Sequence, residues 1–552
     1  MSRSRTTGAA LILSSVLVLS ACGSNASGQN DDGASAAGGG EPVTGGTLVY
    51  LEHQAHENLY PPDAGFYPNG GIVNNITDRL VYQDPETLEL EPWIATDWQI
   101  NEDATEYTFT IRDDVTFSDG TPLDAEAVAA NFDLYGKGDP ERALIVSEAI
   151  NNYSHSEVID DTTVAFHFEA PAPGFLQATA TINSGLLHPD TLAGSFEDFA
   201  PGNSTEVIGT GPFVITEESL GTSLTLTARE DYDWAPPSLE HQGRARLDAV
   251  QIEVTPEDSV RVGSLLSGQA DVVRYVQAQD EAQVAGAGFD IYAPQTNGVN
   301  NSISIRFGHE ILSDLRVRQA LIAGTNRQEV VDTIYTDHYP LATSTLSSGA
   351  AGYLDTSEHL DYDPERAREL LEEAGWTEGA DGIRTKDGQP LRLIVNEAAP
   401  QPRSFEALTL ISQQWQEIGV DLQILRADAG TYAQAILDPE QVQLYHSMVA
   451  RADLDVIKSQ FHSQNRNALL NRVGEAPVLD EEIEGLLDAV ASEPDPDERI
   501  ARTQEVQTYL AENAYVIPLF EEPQVYGAGT HVQDFGWESV ARPSWYQTWL
   551  AE

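Results

Sequence analysis

Few side chains in this sequence are placed to do covalent chemistry, and Cys22 is the only thiol among 552 residues. The chain has no G-x-S-x-G nucleophile elbow, no H-E-x-x-H helix, no P-loop and no G-x-G-x-x-G fingerprint. One thiol also builds neither an internal disulfide nor a cysteine-based zinc site. Carboxylates are so abundant that finding two together carries no information about catalysis. We therefore expect a protein that is not an enzyme and that uses no cofactor.

His53 and His56 form the one arrangement that suggests a metal site, because H-x-x-H in a loop can bring two imidazoles to one ion. The sequence offers no further ligand, so we interpret both as histidines at the rim of a polar loop and expect no metal. The acidic run at 493–498 lacks the glycine and the spacing of a calcium loop and is interpreted as the start of a helix.

The N-terminal segment explains why the chain keeps a thiol. Two arginines precede an apolar run from Ala9 to Leu19, which is the order of an export signal and is too short to span a bilayer. The Leu-Ser-Ala-Cys stretch that ends at Cys22 resembles the lipobox of bacterial lipoproteins, in which the cysteine receives a diacylglycerol and the signal is cut before it. The sequence thus predicts a lipoprotein signal peptide at 1–21, lipidation at Cys22 and an extracytoplasmic protein held at the cell membrane by lipid alone. The alternative is a secretory signal with an incidental cysteine.

Residues 22–45 are rich in Gly, Ser, Ala and Asp and almost free of large apolar side chains. Such a segment cannot bury enough surface to offset its chain entropy, so it is predicted to be a flexible tether. The remaining chain of about 500 residues predicts roughly three domain-sized units.

The charge balance excludes several functions. The chain has 88 acidic and 29 basic residues, a net charge of −59, and its lysines are Lys137, Lys386 and Lys458. Such a surface repels phosphate backbones and anionic lipid headgroups, so we expect no nucleic-acid partner and no electrostatic membrane binding. Either a cationic ligand or a saline habitat that screens self-repulsion would explain the acidity. We favour the habitat because the acid is spread through the whole chain.

Hydrophobic periodicity indicates an α/β protein. Strict alternation over 106–112 predicts a half-buried strand. Helices are predicted after the N-caps Asp124 and Asp363, with Gly136 and Gly375 as their stops. From residue 259 onward helices and strands alternate, and an apolar strand follows at 512–520.

A family resemblance is carried by five segments in order: "ITDRLVY…NFD" (76–133), "GTGPFVI" (209–215), "SVRVGSLLSGQADVV" (259–273), "LRVRQALIAGTNRQEVV" (315–331) and "YDPERARELLEEAGW" (362–376). Together they resemble the extracytoplasmic solute-binding proteins of ABC importers, family 5, which includes dipeptide-, oligopeptide- and nickel-binding members. The resemblance runs from about residue 46 to 550.

The resemblance implies an α/β, periplasmic-binding-protein-like type II fold, with two lobes around a ligand cleft and an additional inserted domain. It places lobe I at 46–75, 206–295 and 518–552, the inserted domain at 76–205 and lobe II at 296–517. It also implies a monomer that closes on a small solute, and the closed form is what the ABC permease subunits recognise.

The ligand-binding stretch is where this sequence departs from its relatives. Peptide-binding members carry in lobe II an aromatic residue followed three positions later by an aspartate that pairs with the peptide amine. Residues 445–463 here contain no tryptophan, and Arg451 precedes Asp453. A cleft-facing Arg451 would suit a carboxylate, whereas a cleft-facing Asp453 would suit an amine. In a third interpretation Asp453 caps the following helix and Arg451 is solvated.

We expect a peptide or peptide-like ligand. The candidate ligand-binding residues are His53, Gln54, Tyr275, Asn297, Arg451 and Asp453. A surface ligand sensor, an exported chaperone and a nickel- or metal-chelate-binding member of the family are the alternatives. Neighbouring permease and ATPase genes would favour import and a neighbouring histidine kinase would favour sensing, while native mass spectrometry would reveal a co-purified ligand.

The saline interpretation predicts that stability rises with salt. Repulsion among carboxylates is screened over roughly 10 Å at 0.1 M and roughly 3 Å at 1 M ionic strength. The midpoint of thermal unfolding, followed by circular dichroism, should therefore increase between low and molar NaCl. A flat or falling midpoint would mean that the carboxylates are compensated locally, and the interpretation would be wrong.

Overall fold

A computed structural model describes residues 41–379, 381–398 and 400–551. The predicted signal peptide, Cys22 and the tether up to residue 40 lie outside the described residues. No helix in the described part of the chain is both long and apolar enough to cross a membrane.

The helices of the described residues are α1 (Tyr67–Ile76), α2 (Ala125–Lys137), α3 (Phe175–Ala178), α4 (Pro189–Leu192), α5 (Asp258–Leu266), α6 (Ala278–Gly286), α7 (Leu315–Ala323), α8 (Arg327–Ile334), α9 (Pro364–Glu373), α10 (Ser404–Glu417), α11 (Ala429–Ala435), α12 (Val456–Phe461), α13 (Glu481–Ser492) and α14 (Pro496–Glu512).

The strands are β1 (Thr47–Glu52), β2 (Val81–Gln83), β3 (Leu90–Pro92), β4 (Ala95–Ile100), β5 (Glu106–Ile111), β6 (Tyr153–Asp160), β7 (Thr163–Phe168), β8 (Phe213–Ser219), β9 (Ser223–Ala228), β10 (Ala249–Val254), β11 (Val272–Arg274), β12 (Asp290–Tyr292), β13 (Gly298–Ile305), β14 (Thr377–Glu378), β15 (Arg384–Lys386), β16 (Gln389–Pro390), β17 (Arg392–Asn396), β18 (Asp421–Leu425), β19 (Leu444–Ala450), β20 (Val516–Phe520), β21 (Tyr526–Ala528), β22 (Val532–Gln533), β23 (Gly536–Trp537), β24 (Pro543–Ser544) and β25 (Trp549–Leu550).

The first sheet has seven strands in the order β12-β21-β11-β1-β10-β9-β8. Its central strand β1 runs parallel to both β10 and β11. Helices α5 and α6 pack on it through a core that includes Leu51, Leu265 and Val284. We call the part of the molecule built on this sheet lobe I.

The second sheet has five strands in the order β18-β17-β19-β13-β20. Strand β13 is buried along its whole length because β19 and β20 flank it and helices cover both faces. We call this part lobe II. The apolar strand predicted at 512–520 is confirmed as β20.

A third, antiparallel sheet has the order β4-β5-β7-β6, and all four strands lie in sequence between β1 and β8. Tyr107, Phe109 and Ile111 of β5 are buried on one face, as the alternation predicts. The ring of Phe175 packs 5.2 Å from that of Phe166. One continuous core joins this sheet to lobe I.

The chain passes from lobe I to lobe II between β12 and β13, and returns between β20 and β21. The predicted boundary at 517/518 is wrong because it divides β20, all of which belongs to the second sheet through its pairing with β13. The return crossing therefore lies after Phe520. The other predicted domain limits remain predictions.

Helix ends follow the local rules of capping with one correction. Asp124 and Asp363 cap α2 and α9 by accepting hydrogen bonds from the amides of Ala127 and Arg366. Gly136 does not stop α2, which continues to Lys137 and ends at Gly138 with φ of 65°. A side chain at Gly136 would meet the ring of Tyr153 at 2.3 Å, so this glycine allows close packing instead.

Candidate functional site

The cleft is built first from the ends of two parallel strands. β1 and β11 are neighbours, and their carboxyl ends reach the same edge of the first sheet. Glu52 and His53 close one strand, and Arg274 and Tyr275 close the other. Ligand sites in open α/β sheets form at this edge.

Glu52 and Arg274 form a buried ion pair at this edge. The Nε of Arg274 donates to Oε2 of Glu52 at 2.8 Å, and both side chains are at most 6% exposed. Burial alone would raise the pKa of Glu52, but Arg274 and His53 together lower it to about 2. Arg274 also donates through Nη1 to Oε1 of Gln524 at 2.6 Å, so the pair ties β1 and β11 to the return crossing.

His53 and Tyr275 stack at the mouth of this pair. Their ring centroids are 4.1 Å apart with an interplanar angle of 6°. Nδ1 of His53 lies 2.7 Å from Oε1 of Glu52, so this nitrogen donates and Nε2 of the neutral ring is left as an acceptor. Burial lowers the pKa of His53, and Glu52 opposes this effect. The lowered pKa favours the neutral ring. Tyr275 has φ of 62°, and such strain in a bulky residue is typical of ligand sites.

Side chains of lobe II complete a cavity of about 200 Å³ around the stacked rings. Met448 and Ala450 come from the end of β19, and Gln401 comes from the segment before α10. His53, Gln54 and Tyr275 line the cavity together with Tyr67, Arg274, Glu522 and Gln524. The structure therefore brings three of the six candidates into one cavity.

A second cavity, of about 350 Å³, adjoins the first and shares Gly65, Phe66, Met448 and Ala450 with it. We call the two together the interlobe cleft. Its acidic side chains are Glu57, Asp63 and Glu148, and its basic side chains are Arg451, Arg466 and Arg542.

The charged groups of the second cavity differ in how well they are paired. Burial raises the pKa of Asp63, and the nearby carboxylates of Glu57 and Glu148 raise it further. Within the described residues the Asp63 carboxylate accepts no hydrogen bond. Glu148, by contrast, accepts from Nη2 of Arg466 at 2.9 Å and from the hydroxyl of Ser459 at 3.1 Å. Unused negative charge therefore lies at Asp63.

Arg451 and Asp453 bind each other. Nε and Nη2 of the arginine donate to the two carboxylate oxygens at 2.8 and 2.7 Å. The residues are 9% and 6% exposed, so Arg451 is not solvated. Asp453 does not cap the following helix either, because α12 begins after Asp455. The third interpretation of these residues is wrong, since a bidentate pair already satisfies both charges.

The remaining candidates lie apart from the cavity around His53. Arg451 lines only the second cavity, and Asp453 is not among the described residues that line either one. Asn297 lies between β12 and β13, where its Nδ2 donates to the carbonyl of Ser539 at 2.7 Å. It holds the first crossing in place and lines neither cavity.

Glu522 is a cleft residue that the sequence analysis missed. It follows β20, is 5% exposed, and burial raises its pKa to about 7 despite a hydrogen bond from Asn301 at 3.0 Å. Oδ1 of Asn301 in turn accepts from Nε2 of His446 at 2.8 Å. Burial lowers the pKa of His446 to about 4, so its ring is neutral. The only sequence signal for Glu522 is a pair of glutamates directly after an apolar strand.

The lobes meet across the cleft. Arg403 before α10 donates to Gln279 of α6 at one end. At the other end Arg466 and Ser459 bind Glu148, and Gln83 donates to the carbonyl of Ala452 at 3.3 Å. Lobe II therefore contacts lobe I at one end of the cleft and the segment between β1 and β8 at the other.

The solved structures that this chain is similar to establish the fold. The oligopeptide-binding protein AppA from Bacillus subtilis, in complex with a nonapeptide, matches with a TM-score of 0.76 and 18% identity, covering 93% of this chain and 100% of that chain. NikA from Brucella suis in complex with Fe(III)-EDTA matches with a TM-score of 0.76 and 21% identity, covering 92% and 100%. The predicted α/β fold with two lobes around a cleft and an inserted domain is confirmed.

Similar sequences cover nearly the whole chain. The glutathione-binding protein GsiB of Salmonella paratyphi A is 24% identical over 475 residues, 85% of this chain and 87% of that protein. The nickel-binding periplasmic protein of Escherichia coli is 25% identical over 501 residues, 87% of each. The model for the bacterial extracellular solute-binding proteins, family 5 (middle), matches residues 89–460. The chain belongs to this family of extracellular solute-binding proteins.

Proposed function

We propose that this protein is the substrate-binding component of an ABC importer and that it captures a peptide or peptide-like amine in the interlobe cleft. The observation that carries the proposal is the cleft itself, which takes its walls from both lobes and lies beside the return crossing. A ligand that touches both walls stabilises the closed state in proportion to its preference for that state. Closure would then signal to membrane permease subunits that the ligand is bound. This role requires no catalytic group, and in this proposal the protein is not an enzyme.

The distribution of charge favours a ligand amine at the second cavity. Arg451 is neutralised by Asp453, whereas the half-buried Asp63 lacks a partner in the described structure and has Glu57 and Glu148 nearby. A ligand ammonium at this place relieves the repulsion among the three carboxylates. We thus assign amine recognition to Asp63 of lobe I and not to the lobe II aspartate.

The first cavity suits the remainder of such a ligand. The stacked rings of His53 and Tyr275 offer a flat surface, and Nε2 of His53 is available as an acceptor. The amides of Gln54 and Gln401 can bind peptide groups from opposite lobes. The similarity to a glutathione-binding protein and to an oligopeptide-binding protein in complex with a nonapeptide supports a peptide-like ligand.

Dipeptide and tripeptide binding should depend on Asp63. Losing a charge-assisted hydrogen bond costs about 1.5 to 3 kcal/mol, so Asp63→Asn should weaken binding by about 10- to 150-fold in calorimetric titration. N-acetylation of the peptide should cost wild type a similar factor and the variant almost nothing, because the two changes remove the same contact.

Asp97→Asn is the matched control, since Asp97 is exposed on β4 and does not line the cleft. It should bind peptides as wild type does. If no peptide binds and native mass spectrometry shows another solute, such as a metal chelate, the peptide assignment is wrong. If Asp63→Asn binds peptides as tightly as wild type, the amine contact is wrong and the importer role stands.

The Arg451–Asp453 pair should act on stability. Breaking a buried pair from one side costs about 3 to 5 kcal/mol because it leaves a buried charge uncompensated. Asp453→Asn should therefore lower the unfolding midpoint more than the double variant Arg451→Met/Asp453→Leu, measured by urea denaturation. Equal destabilisation of the two variants would contradict this account.

We propose further that the mature protein begins at a lipidated Cys22 and functions as a monomer on the extracytoplasmic side of the cell membrane. Two or three acyl chains hold a protein firmly, whereas a single chain binds only marginally. The acidic surface repels anionic headgroups, so the lipid would be the whole attachment.

Replacing the acyl acceptor tests the anchor. Cys22→Ser should release the protein into the medium or leave its signal uncleaved, and fractionation with mass spectrometry of the N-terminus distinguishes the two. Ser20→Thr, which changes a neighbouring residue and keeps the thiol, is the control and should stay attached. A Cys22→Ser protein attached as tightly as wild type would refute lipidation at this residue.

A further inference from the structure

A separate cavity of about 280 Å³ lies outside the interlobe cleft. It is enclosed by the end of α1 and the residues that follow it, by the loop after β9, and by the C-terminal segment around β23 and β24. None of its lining residues lines the cleft cavities. A cavity of roughly 150 Å³ holds benzene, so this one accommodates an aromatic ring with a substituent.

Six aromatic side chains contribute to its wall: Tyr82, Trp93, Tyr232, Phe535, Trp537 and Tyr546. Tyr82 and Trp93 meet edge to face, with centroids 6.0 Å apart and an interplanar angle of 89°. Trp537 and Tyr82 are only half-buried, so part of the aromatic surface faces the cavity without a protein neighbour.

Arg79 supplies the positive charge in this wall. The residue is 7% exposed, and its guanidinium carbon lies 4.9 Å from the centroid of the Trp93 ring. Nη1 donates two long hydrogen bonds of 3.4 Å, to the carbonyls of Asn74 and Thr77. Nε is buried and has no hydrogen-bond partner in the described structure. A buried guanidinium with unused donors calls for an acceptor, and a carboxylate matches its planar fork.

Asn74 adds an unused acceptor beside Arg79. Its Nδ2 donates to the carbonyl of Pro543 at 3.0 Å, and a carbonyl only accepts, so the amide orientation is fixed. Its Oδ1 is buried and has no partner among the described residues.

The acidic groups near the cavity are already engaged or lie at its rim. Asp78 accepts from the hydroxyl of Tyr232 at 3.1 Å and from the indole of Trp234 at 2.8 Å. Glu538 accepts from the amide of Arg542 at 2.9 Å, and Glu86 is exposed. The unsatisfied groups are thus one cationic donor and one neutral acceptor.

We propose that this cavity is a second ligand site, which binds a small aromatic carboxylic acid. The ring lies among the aromatic side chains and the carboxylate lies on Arg79. A hydroxyl next to the carboxylate donates to Oδ1 of Asn74, so mandelate binds more tightly than phenylacetate. The site is independent of the interlobe cleft.

The probes are mandelate, phenylacetate and the matched cation phenethylamine, titrated into the purified full chain and followed by calorimetry and tryptophan fluorescence. Salt of about 1 M screens the repulsion between the anions and the acidic protein. Both acids should bind, with mandelate the tighter. Arg79→Lys should weaken both at least tenfold because lysine lacks the planar fork.

The controls separate this site from the cleft and from charge alone. Arg426→Lys changes an exposed arginine that stacks on Phe405 at 4.2 Å, and it should leave binding unchanged. Asp63→Asn in the cleft should also leave it unchanged. If Arg79→Lys does not fold, two other experiments test the site. Trp537→Leu, which changes the half-buried aromatic wall, should weaken binding of both acids, and a crystal soaked in mandelate should show the ligand in this cavity. The proposal is overturned if neither acid binds or if phenethylamine binds more tightly than the acids. Electron density for mandelate outside this cavity would also overturn it.

Discussion

The buried pair of Glu52 and Arg274 is the constraint around which the cleft is organised. Each residue ends a strand of the first sheet, and a buried charge without its partner costs several kcal/mol, so β1 and β11 must end side by side. Arg274 also binds Gln524 on the return crossing. One electrostatic requirement thus positions the His53–Tyr275 stack and fixes lobe I to the crossing where the lobes would rotate.

Arginine is scarce relative to carboxylate in this chain, and two buried arginines of lobe II are paired with aspartates. Arg451 is held by Asp453, and Arg499 by Asp455. The pKa of a carboxylate without such a partner depends mainly on its burial. Burial raises the pKa values of Asp63 and Glu522. In the proposed function, this uneven pairing inside the cleft, more than the total charge of −59, would select the ligand chemistry.

Periodicity and capping were enough to predict β5, α2 and α9, and a continuous apolar run predicted β20, because those signals are local. The helix end at Gly136 was wrong because the glycine is needed by Tyr153, which lies on a distant strand. The boundary at 517/518 was wrong because pairing with β13 assigns β20 to lobe II. Both errors concern contacts between segments far apart in sequence, which no local pattern contains.

The same difference between local patterns and long-range contacts applies to the candidate site residues. His53, Gln54 and Tyr275 each follow a strand in the sequence, and the parallel pairing of β1 with β11 brings them to one edge of the sheet. The chemistry of Arg451 and Asp453 depended on whether they face the cleft or each other, and a spacing of two residues permits both. Only the packing of β19 against the segment around Glu148 buries them together, and burial turns two potential ligand contacts into one internal pair. In the proposed function, ligand specificity would therefore arise from the charges that folding leaves unpaired.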